Sequence, residues 1–374
     1  MQNSETPTVI HFAGSSLDVG GLLSYIRSMA KHNGVHNVLV VQKGFKQTRL
    51  PFMKLLELPE GDYSSLVSPG ACWDSFKQVF WLRRKLGRDS NLIFHAHSRG
   101  GVLIAIILVS LGYRNVVATI HHNGNHRWFY HLAHRALKRR MIFLCPAMKR
   151  YYGLEGRSWR DCIPGSVTPY LRRPGRTKPP FFGPQSERLL TLGGCGIVVE
   201  WKRWEIILEA LGQIKPELRR RIRFVHVGDP LDEAISQDYA EKLRDKVQQY
   251  GLENQVEWRG HQDDLNEFFS EVDLLIHPAE AEPFGLAVLE ALFAGVPAIT
   301  SSSVGAADLF DSPANGLTFP TNDFKALGNL IEKLMAGSQT FPSVDRASLR
   351  PLEPEFLGAR WAEVYSRLEG EPTG

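Results

Sequence analysis

Cysteine is scarce. Four among 374 residues are too few for a disulfide scaffold. Cys72, Cys145, Cys162 and Cys195 show no C-x-x-C spacing, which argues against zinc, and a reduced, cytosolic setting is expected. Long apolar runs are missing too. The longest, Val102 to Leu111, falls well short of the ~20 residues that cross a bilayer. Residues 1–8 hold no basic stretch followed by an apolar one, so no secretory leader is expected. There is no short-period repeat and no low-complexity tract. Acidic residues are sparse in the first half: residues 1–180 carry 9 Asp and Glu against 26 Lys and Arg.

What is present is the balance of a folded protein, 43% hydrophobic and 22% charged, which excludes disordered and collagen-like chains. The length favours two domains. The net charge of +4 divides into +17 over residues 1–180 and −13 over the rest, and such a split suggests two domains with different partners. The basic half has clusters at Arg83-Arg84-Lys85, Lys138-Arg139-Arg140, Lys149-Arg150 and Arg172-Arg173. A field of that sign attracts nucleic acid, anionic lipid or an acidic substrate. No nucleic-acid-binding module is recognisable, so no nucleic-acid partner is expected.

Short apolar runs alternate with helical patterns. Val9–Ala13, Val38–Val41, Leu92–Phe94 and Val116–Ile120 read as buried strands of a parallel sheet. The Arg-, Pro- and Gly-rich stretch 172–187 reads as a linker. The alternation then restarts, with strands at Leu189–Leu192, Ile222–Val227, Gln255–Trp258, Leu274–His277 and Ala298–Ser301. Helices are expected at about 203–213, 234–250, 264–270, 286–295 and 323–336, and an amphipathic helix at Pro354–Leu368. Strand–helix alternation implies βαβ units and parallel sheets.

The densest chemistry lies in 273–297, DLLIHPAEAEPFGLAVLEALFAGVP. A strand ends at His277-Pro278. A loop with Glu280 and Glu282 follows, then Pro283-Phe284-Gly285 and a helix bearing Glu290. In an open α/β sheet ligands bind at the carboxyl ends of strands, and free amides at the next helix N-terminus favour an anion. Carboxylates there can accept from sugar hydroxyls. With a helix starting near Phe284, Glu290 would lie nearly two turns in, so the two carboxylates could contact separate parts of an extended ligand.

This stretch resembles the Glu-x7-Glu signature of retaining glycosyltransferases of the GT-B fold, family 4 in particular. The resemblance implies that Glu282 and the backbone of Phe284, Gly285 and Leu286 hold donor sugar and phosphate, and that Glu290 binds the ribose. SSSVGAADLF at 301–310, with Gly305-Ala306 and Asp308, resembles a further donor segment. Val256–His261 and Val227-Gly228-Asp229 resemble turns facing the nucleotide base, where Gly228 and Gly260 would let a flat base approach and His261 would lie on the donor side. Leu17–Gly21 resembles the family's Gly-Gly loop, which places Gly20 and Gly21 near donor diphosphate or acceptor. FHAHSRGG at 94–101 resembles its His-x-His loop, with His95, His97, Ser98 and Arg99 on the acceptor side. Ala118–His122 resembles the strand end carrying the active-site His, a role that falls on His121.

One departure stands out. The family usually sets an Arg and, five or six residues later, a Lys on the diphosphate. From Gly193 the chain reads GGCGIVVEWKRWEIILEAL. Lys202 matches the Lys, but the Arg position falls on Gly196 or Ile197. Loss of one charge-assisted contact costs about 1.5–3 kcal/mol, and the adjacent Arg203 is the candidate substitute. Ala279, where Ser is common, is a second departure.

The resemblance implies an α/β chain of GT-B architecture: two Rossmann-like domains with parallel sheets facing a central cleft, and a C-terminal helix crossing back to the first domain. The expected domains are 1–178 (basic, acceptor), 179–353 (donor) and 354–374 (returning helix). The implied activity is metal-independent retaining transfer from a UDP- or GDP-sugar to a hydroxyl of a saccharide or lipid-linked acceptor, catalysed by His121, Glu282 and Lys202. It needs no cofactor, since the nucleotide sugar is a substrate. The aromatic and basic residues of 126–140 fit an anionic membrane surface. A non-catalytic sugar- or lipid-binding subunit and a nucleotide-sugar epimerase remain open as alternatives.

Overall fold

A computed structural model of the chain describes residues 6–14, 21–46, 53–58, 69–86, 92–124, 126–154, 161–165, 188–310 and 314–370. Gly20 and the expected linker at 172–187 lie outside the described residues. The chain divides into two compact units, residues 1–166 with 351–374, and residues 167–350.

The first unit runs β1 (Thr8–Phe12), α1 (Gly21–His32), β2 (His36–Val41), β3 (Lys54–Glu57), α2 (Pro69–Leu86), β4 (Leu92–Ala96), α3 (Arg99–Ser110), β5 (Val116–Ile120), α4 (Arg127–Leu137), β6 (Met141–Phe143) and α5 (Pro146–Tyr151). The second runs β7 (Leu190–Cys195), α6 (Glu205–Gln213), α7 (Pro216–Arg219), β8 (Ile222–Val227), α8 (Ala234–Gln249), β9 (Val256–Trp258), α9 (Asn266–Glu271), β10 (Leu274–His277), α10 (Leu286–Phe293), β11 (Ala298–Ser301), β12 (Gly316–Phe319), α11 (Phe324–Met335) and α12 (Arg346–Leu349). The closing helix α13 (Pro354–Gly370) packs on α1, and Leu357, Trp361 and Tyr365 are its buried face.

Each sheet has six strands, ordered β3-β2-β1-β4-β5-β6 and β12-β11-β10-β7-β8-β9, and every pairing between these strands is parallel. Both follow the doubly wound order in which the winding reverses beside the first strand. The reversal falls between β1 and β4 in the first unit and between β7 and β10 in the second. A crevice opens there at the carboxyl ends of the strands, where such folds hold ligands. The apolar runs form the strands because both sheet faces are covered. In the second unit Leu192, Phe224, Leu274, Ile276 and Ile299 of the strands pack with Trp204, Ile207, Leu211, Leu243 and Leu327 of the flanking segments.

Sequence and structure differ in several places. Strands β3, β6 and β12 and helices α2, α5, α7 and α12 were not anticipated. Helix α2 exposes Trp73, Phe76 and Phe80 among Lys77 and Arg84, so its outer face is not the mainly polar one that marks a surface helix. Helix α10 begins at Leu286, where the 286–295 pattern places it, and Gly285 at φ 97° is its N-cap. Glu290 therefore lies little more than one turn into the helix. Gly228 does require the absence of a side chain, at φ 128°, but a Cβ there would lie 2.0 Å from the Gly196 carbonyl oxygen. The close approach shown is between neighbouring strand-end loops of the chain itself.

Candidate functional site

In the first unit, strand alternation builds the site. Side chains two residues apart share a face. Register sets His11 opposite His95 across the β1–β4 reversal. His97 follows His95 by two residues, and His121 follows Thr119 by two, so all five groups emerge on the face covered by α1 and α13. His11, His95 and His97 are fully enclosed; His121 is half-buried. His11 Nδ1 lies 3.0 Å from His97 Nε2, and His97 Nδ1 lies 3.0 Å from His121 Nε2. His11 Nε2 meets Asn37 Oδ1 at 2.8 Å. His95 is tied to the Tyr365 hydroxyl at 2.8 Å and to Thr119 Oγ1 at 2.7 Å. Tyr25 sets its ring edge-on to His121 at 4.7 Å.

Burial holds these rings neutral, since desolvation disfavours the charged form. It lowers His11 to about 4 against the opposing pull of Asn37. It lowers His121 to about 3, helped by His122, and keeps His95 and His97 well below their ordinary value. Nitrogens of His11, His95 and His97 come within 4.8 Å of one another, close enough for one metal ion. Their hydrogen bonds already occupy both nitrogens of each ring, so the donor set is closed upon itself.

The other expected residues of this unit divide by role. Ser98 caps α3, accepting from the Gly101 amide at 3.2 Å. Arg99 donates from Nε to His122 Nε2 at 2.8 Å, and the Tyr130 hydroxyl meets the same nitrogen at 2.8 Å. Gly21 is exposed and opens α1. His95 and His97 do not face solvent; they stand behind His121.

In the second unit the strand reversal gathers Lys202, His277 and Glu282. Lys202 ends a short 3-10 turn after β7, and the other two sit at and after the end of β10. Lys202 Nζ forms an ion pair with Glu282 Oε2, and His277 Nε2 donates to the same oxygen at 3.3 Å. Lys202 also lies 4.5 Å above the Trp201 ring. Burial pushes the Glu282 carboxyl up, but the Lys202 charge and the His277 hydrogen bond outweigh it and hold the group at about 2. Burial and the nearby Lys202 charge lower His277. The Gly305 amide donates to Glu282 O and the Ala306 amide to Phe284 O, at 3.0 and 2.6 Å, which ties the Glu282 loop to the segment after β11. Phe284 is buried, and Leu286 and Glu290 are half-buried on α10. Glu290 and Lys202 both act on the buried Cys195 thiol, Glu290 reinforcing the upward push of burial and Lys202 opposing it. Both charges thus converge on the end of β7.

Arg203, at φ 58°, donates to Asn322 Oδ1 at 3.0 Å and pairs with Glu205 at 3.2 Å. Of the two candidates for the missing Arg position, Ile197 is exposed, and Gly196 takes φ 147°. Gly260, at φ 68°, packs against the Asp229 carboxylate. His261 is two-thirds exposed beside Asp263.

Residues 191–346 match the family model described as glycosyl transferases group 1. The whole chain superposes on a glycosyltransferase from Rickettsia africae with a TM-score of 0.73 at 14% identity, covering 98% of this chain and 100% of that one. It superposes on Anabaena HepE in complex with UDP and glucose with a TM-score of 0.67 at 16% identity, covering 96% and 100%. The chain has the GT-B fold. Among curated proteins, an exopolysaccharide phosphotransferase of Streptomyces coelicolor is 31% identical over 133 residues, which are 34% of this chain and 14% of that protein. The chain spans between 14% and 35% of the length of the curated relatives it matches.

Within this GT-B chain, three site residues escaped sequence reasoning. His277 was visible only as a strand end. His11 and Asn37 sit inside strand runs and carry no motif. Their signal would have been the two-residue spacing of polar groups within otherwise apolar strands, repeated on β4 and β5.

Proposed function

We propose that the chain is a retaining glycosyltransferase, moving a sugar from a UDP- or GDP-sugar to a hydroxyl of a saccharide or lipid-linked acceptor in polysaccharide or glycolipid synthesis. One observation carries the reading. Lys202, Glu282 and His277 converge at the strand reversal of the unit that matches the group 1 glycosyl transferase model. HepE, with the same fold, holds UDP and glucose.

In this reading Lys202 and the first amides of α10 stabilise the leaving diphosphate. Glu282, held ionised, accepts from the sugar hydroxyls. His121, in the first unit, is a further proposed contact for a sugar hydroxyl. Glu290 takes the ribose, with Gly228, Gly260, Phe284, Gly285 and Leu286 forming the rest of the donor bed. The acceptor hydroxyl attacks from the face the diphosphate leaves, and the departing phosphate oxygen takes its proton. No side chain has to serve as base, and no metal is assigned a step. Arg203, already tied to Asn322 and Glu205, offers the diphosphate only a partly neutralised charge. The absent second cation is the observation that favours the alternative, a non-catalytic sugar-binding subunit.

A thermal-shift screen of UDP-glucose, GDP-mannose and ADP-glucose tests the reading. At a donor concentration about 100 times Kd, binding to the folded state adds about 2.7 kcal/mol and raises Tm by several degrees. One nucleotide should do so, and Lys202→Ala and Glu290→Ala should each abolish the shift. No shift with any donor would support the non-catalytic subunit instead.

The reading extends to a peripheral position on the cytoplasmic face of a membrane. Among the described residues no helix is long and apolar enough to cross a bilayer. Trp73, Phe76 and Phe80 form an exposed i, i+3, i+7 stripe on α2, and α4 exposes Trp128 and Leu132. Helix α3 packs against both helices. Lys77, Arg84, Arg127, Arg135, Lys138 and Arg139 are exposed on the same two helices and the turn after α4. Aromatic anchors with basic neighbours suit an anionic interface. The protein should co-sediment with phosphatidylglycerol-containing vesicles and not with pure phosphatidylcholine. Equal and negligible binding to both would remove the membrane from the proposal.

A further inference from the structure

The buried histidines form a directed chain whose sense can be worked out from one end. Asn37 Nδ2 lies 2.8 Å from the Val35 carbonyl and 3.3 Å from the Ala30 carbonyl. Carbonyl oxygens only accept, so the amide nitrogen faces them and the amide oxygen faces His11. That oxygen also accepts from Asn33 Nδ2 at 3.0 Å. His11 Nε2 must therefore carry a proton. A neutral imidazole has one N–H and one bare nitrogen, so His11 Nδ1 is bare and accepts from His97 Nε2. His97 Nδ1 is then bare in turn and accepts from His121 Nε2. The last bare nitrogen is His121 Nδ1, on the half-buried ring, and no protein group among the described residues bonds to it.

We infer that Asn37, His11 and His97 are positioning residues that fix His121 as its Nε2–H tautomer, so that His121 presents an obligatory hydrogen-bond acceptor to a hydroxyl of the sugar ligand. The inference rests on the proposed glycosyltransferase reading for the identity of the ligand, but not for the direction of the chain. The rings stay neutral because they are desolvated, and the hydrogen bonds that tie His11 and His97 hold the order. A bare nitrogen is matched by a hydroxyl, which donates, and not by fluorine or an ether oxygen, which cannot.

Long-range proton–nitrogen NMR of the full chain labelled with [15N]histidine, free of ligand at neutral pH, reads the tautomer directly. A bare ring nitrogen resonates far downfield of a protonated one, and the His121 signals are assigned by their loss in His121→Gln. The expected result is a bare Nδ1 and a protonated Nε2. A protonated Nδ1 in the wild-type protein overturns the inference, whatever any variant does. His11→Phe removes the acceptor for His97 and should leave His121 as a mixture of tautomers. A folded His11→Phe protein that keeps Nδ1 wholly bare would remove His11 and Asn37 from the chain of control. With UDP-glucose and its monodeoxyfluoro analogues, one analogue should bind at least about tenfold more weakly, the loss expected for one hydrogen bond, and that difference should vanish in His121→Phe. Equal binding of every analogue would overturn the acceptor role. Failure of UDP-glucose itself to bind would count against the glycosyltransferase reading, while the NMR measurement would still decide the tautomer.

Discussion

Replacing Glu282 by Ala while Lys202 remains is expected to destabilise the second unit by about 3–5 kcal/mol, the penalty for leaving a buried charge without its partner. The Lys202 and Glu282 side chains retain only 11% and 13% of their accessible surface, so water can replace little of the lost carboxylate. His277 loses its acceptor in the same step, and its Nδ1 has no partner among the described residues. The double variant Lys202→Met, Glu282→Leu should recover most of the loss, because apolar groups of similar volume remove both desolvation costs. Both proteins should be inactive as glycosyltransferases, which separates the stability effect from the proposed chemistry. Guanidinium unfolding, followed through the transition of the second unit, measures the difference. If Glu282→Ala costs no more than an exposed pair, at most ~1 kcal/mol, then the pair is solvated and Glu282 is not the desolvated acceptor proposed here.

The legibility of this chain follows the range of the interactions involved. Segment 273–297 could be read because its strand, loop carboxylates and helix are contiguous, and the pairing of Glu282 with Lys202 joins two segments already marked by resemblance. The start of α10 falls at Leu286, within the expected 286–295 pattern, and the positive φ of Gly285 fixes the boundary. Helix α2 was invisible because Trp73, Phe76 and Phe80 lie outside the core, against the usual sorting of apolar groups. Gly228 was correctly marked as a position needing no Cβ, but the atom it admits is the Gly196 carbonyl oxygen. The histidine chain was only half visible. His97 and His121 were marked as strand ends, whereas His11 and Asn37 join them through sheet order, which places β1 between β2 and β4. No local pattern encodes that adjacency.

Acid should unfold the first unit well above the pH at which carboxylates protonate. His11, His95, His97 and His121 titrate near 6.5 when unfolded, whereas burial lowers His11 to about 4 and His121 to about 3 and keeps the other two well down. Above pH 6.5 neither state binds these protons and the stability is fully present. Between pH 6.5 and about 4 the unfolded chain takes up protons that the folded one refuses, so stability falls with pH. By pH 5 each ring contributes a loss of roughly 2 kcal/mol. Four rings reach the order of 5–10 kcal/mol, comparable with the ~5–15 kcal/mol that holds a domain folded. The second unit has two such enclosed rings, His226 and His277. Its Glu282 works in a lower window, contributing above the ordinary carboxylate value and losing that contribution only as pH falls toward about 2. Hydrogen exchange resolved by peptide at pH 7, 6 and 5, corrected for the intrinsic pH dependence of exchange, should show β1, β4 and β5 losing protection before β7, β8 and β10. Equal protection of both sheets at pH 5 would mean that the unfolded chain gains no more protons from the first unit than from the second, and the enclosed rings would then have to be charged in the folded state. His11→Phe should flatten the dependence by about one ring's share, because it removes a single titrating group from the unfolded chain.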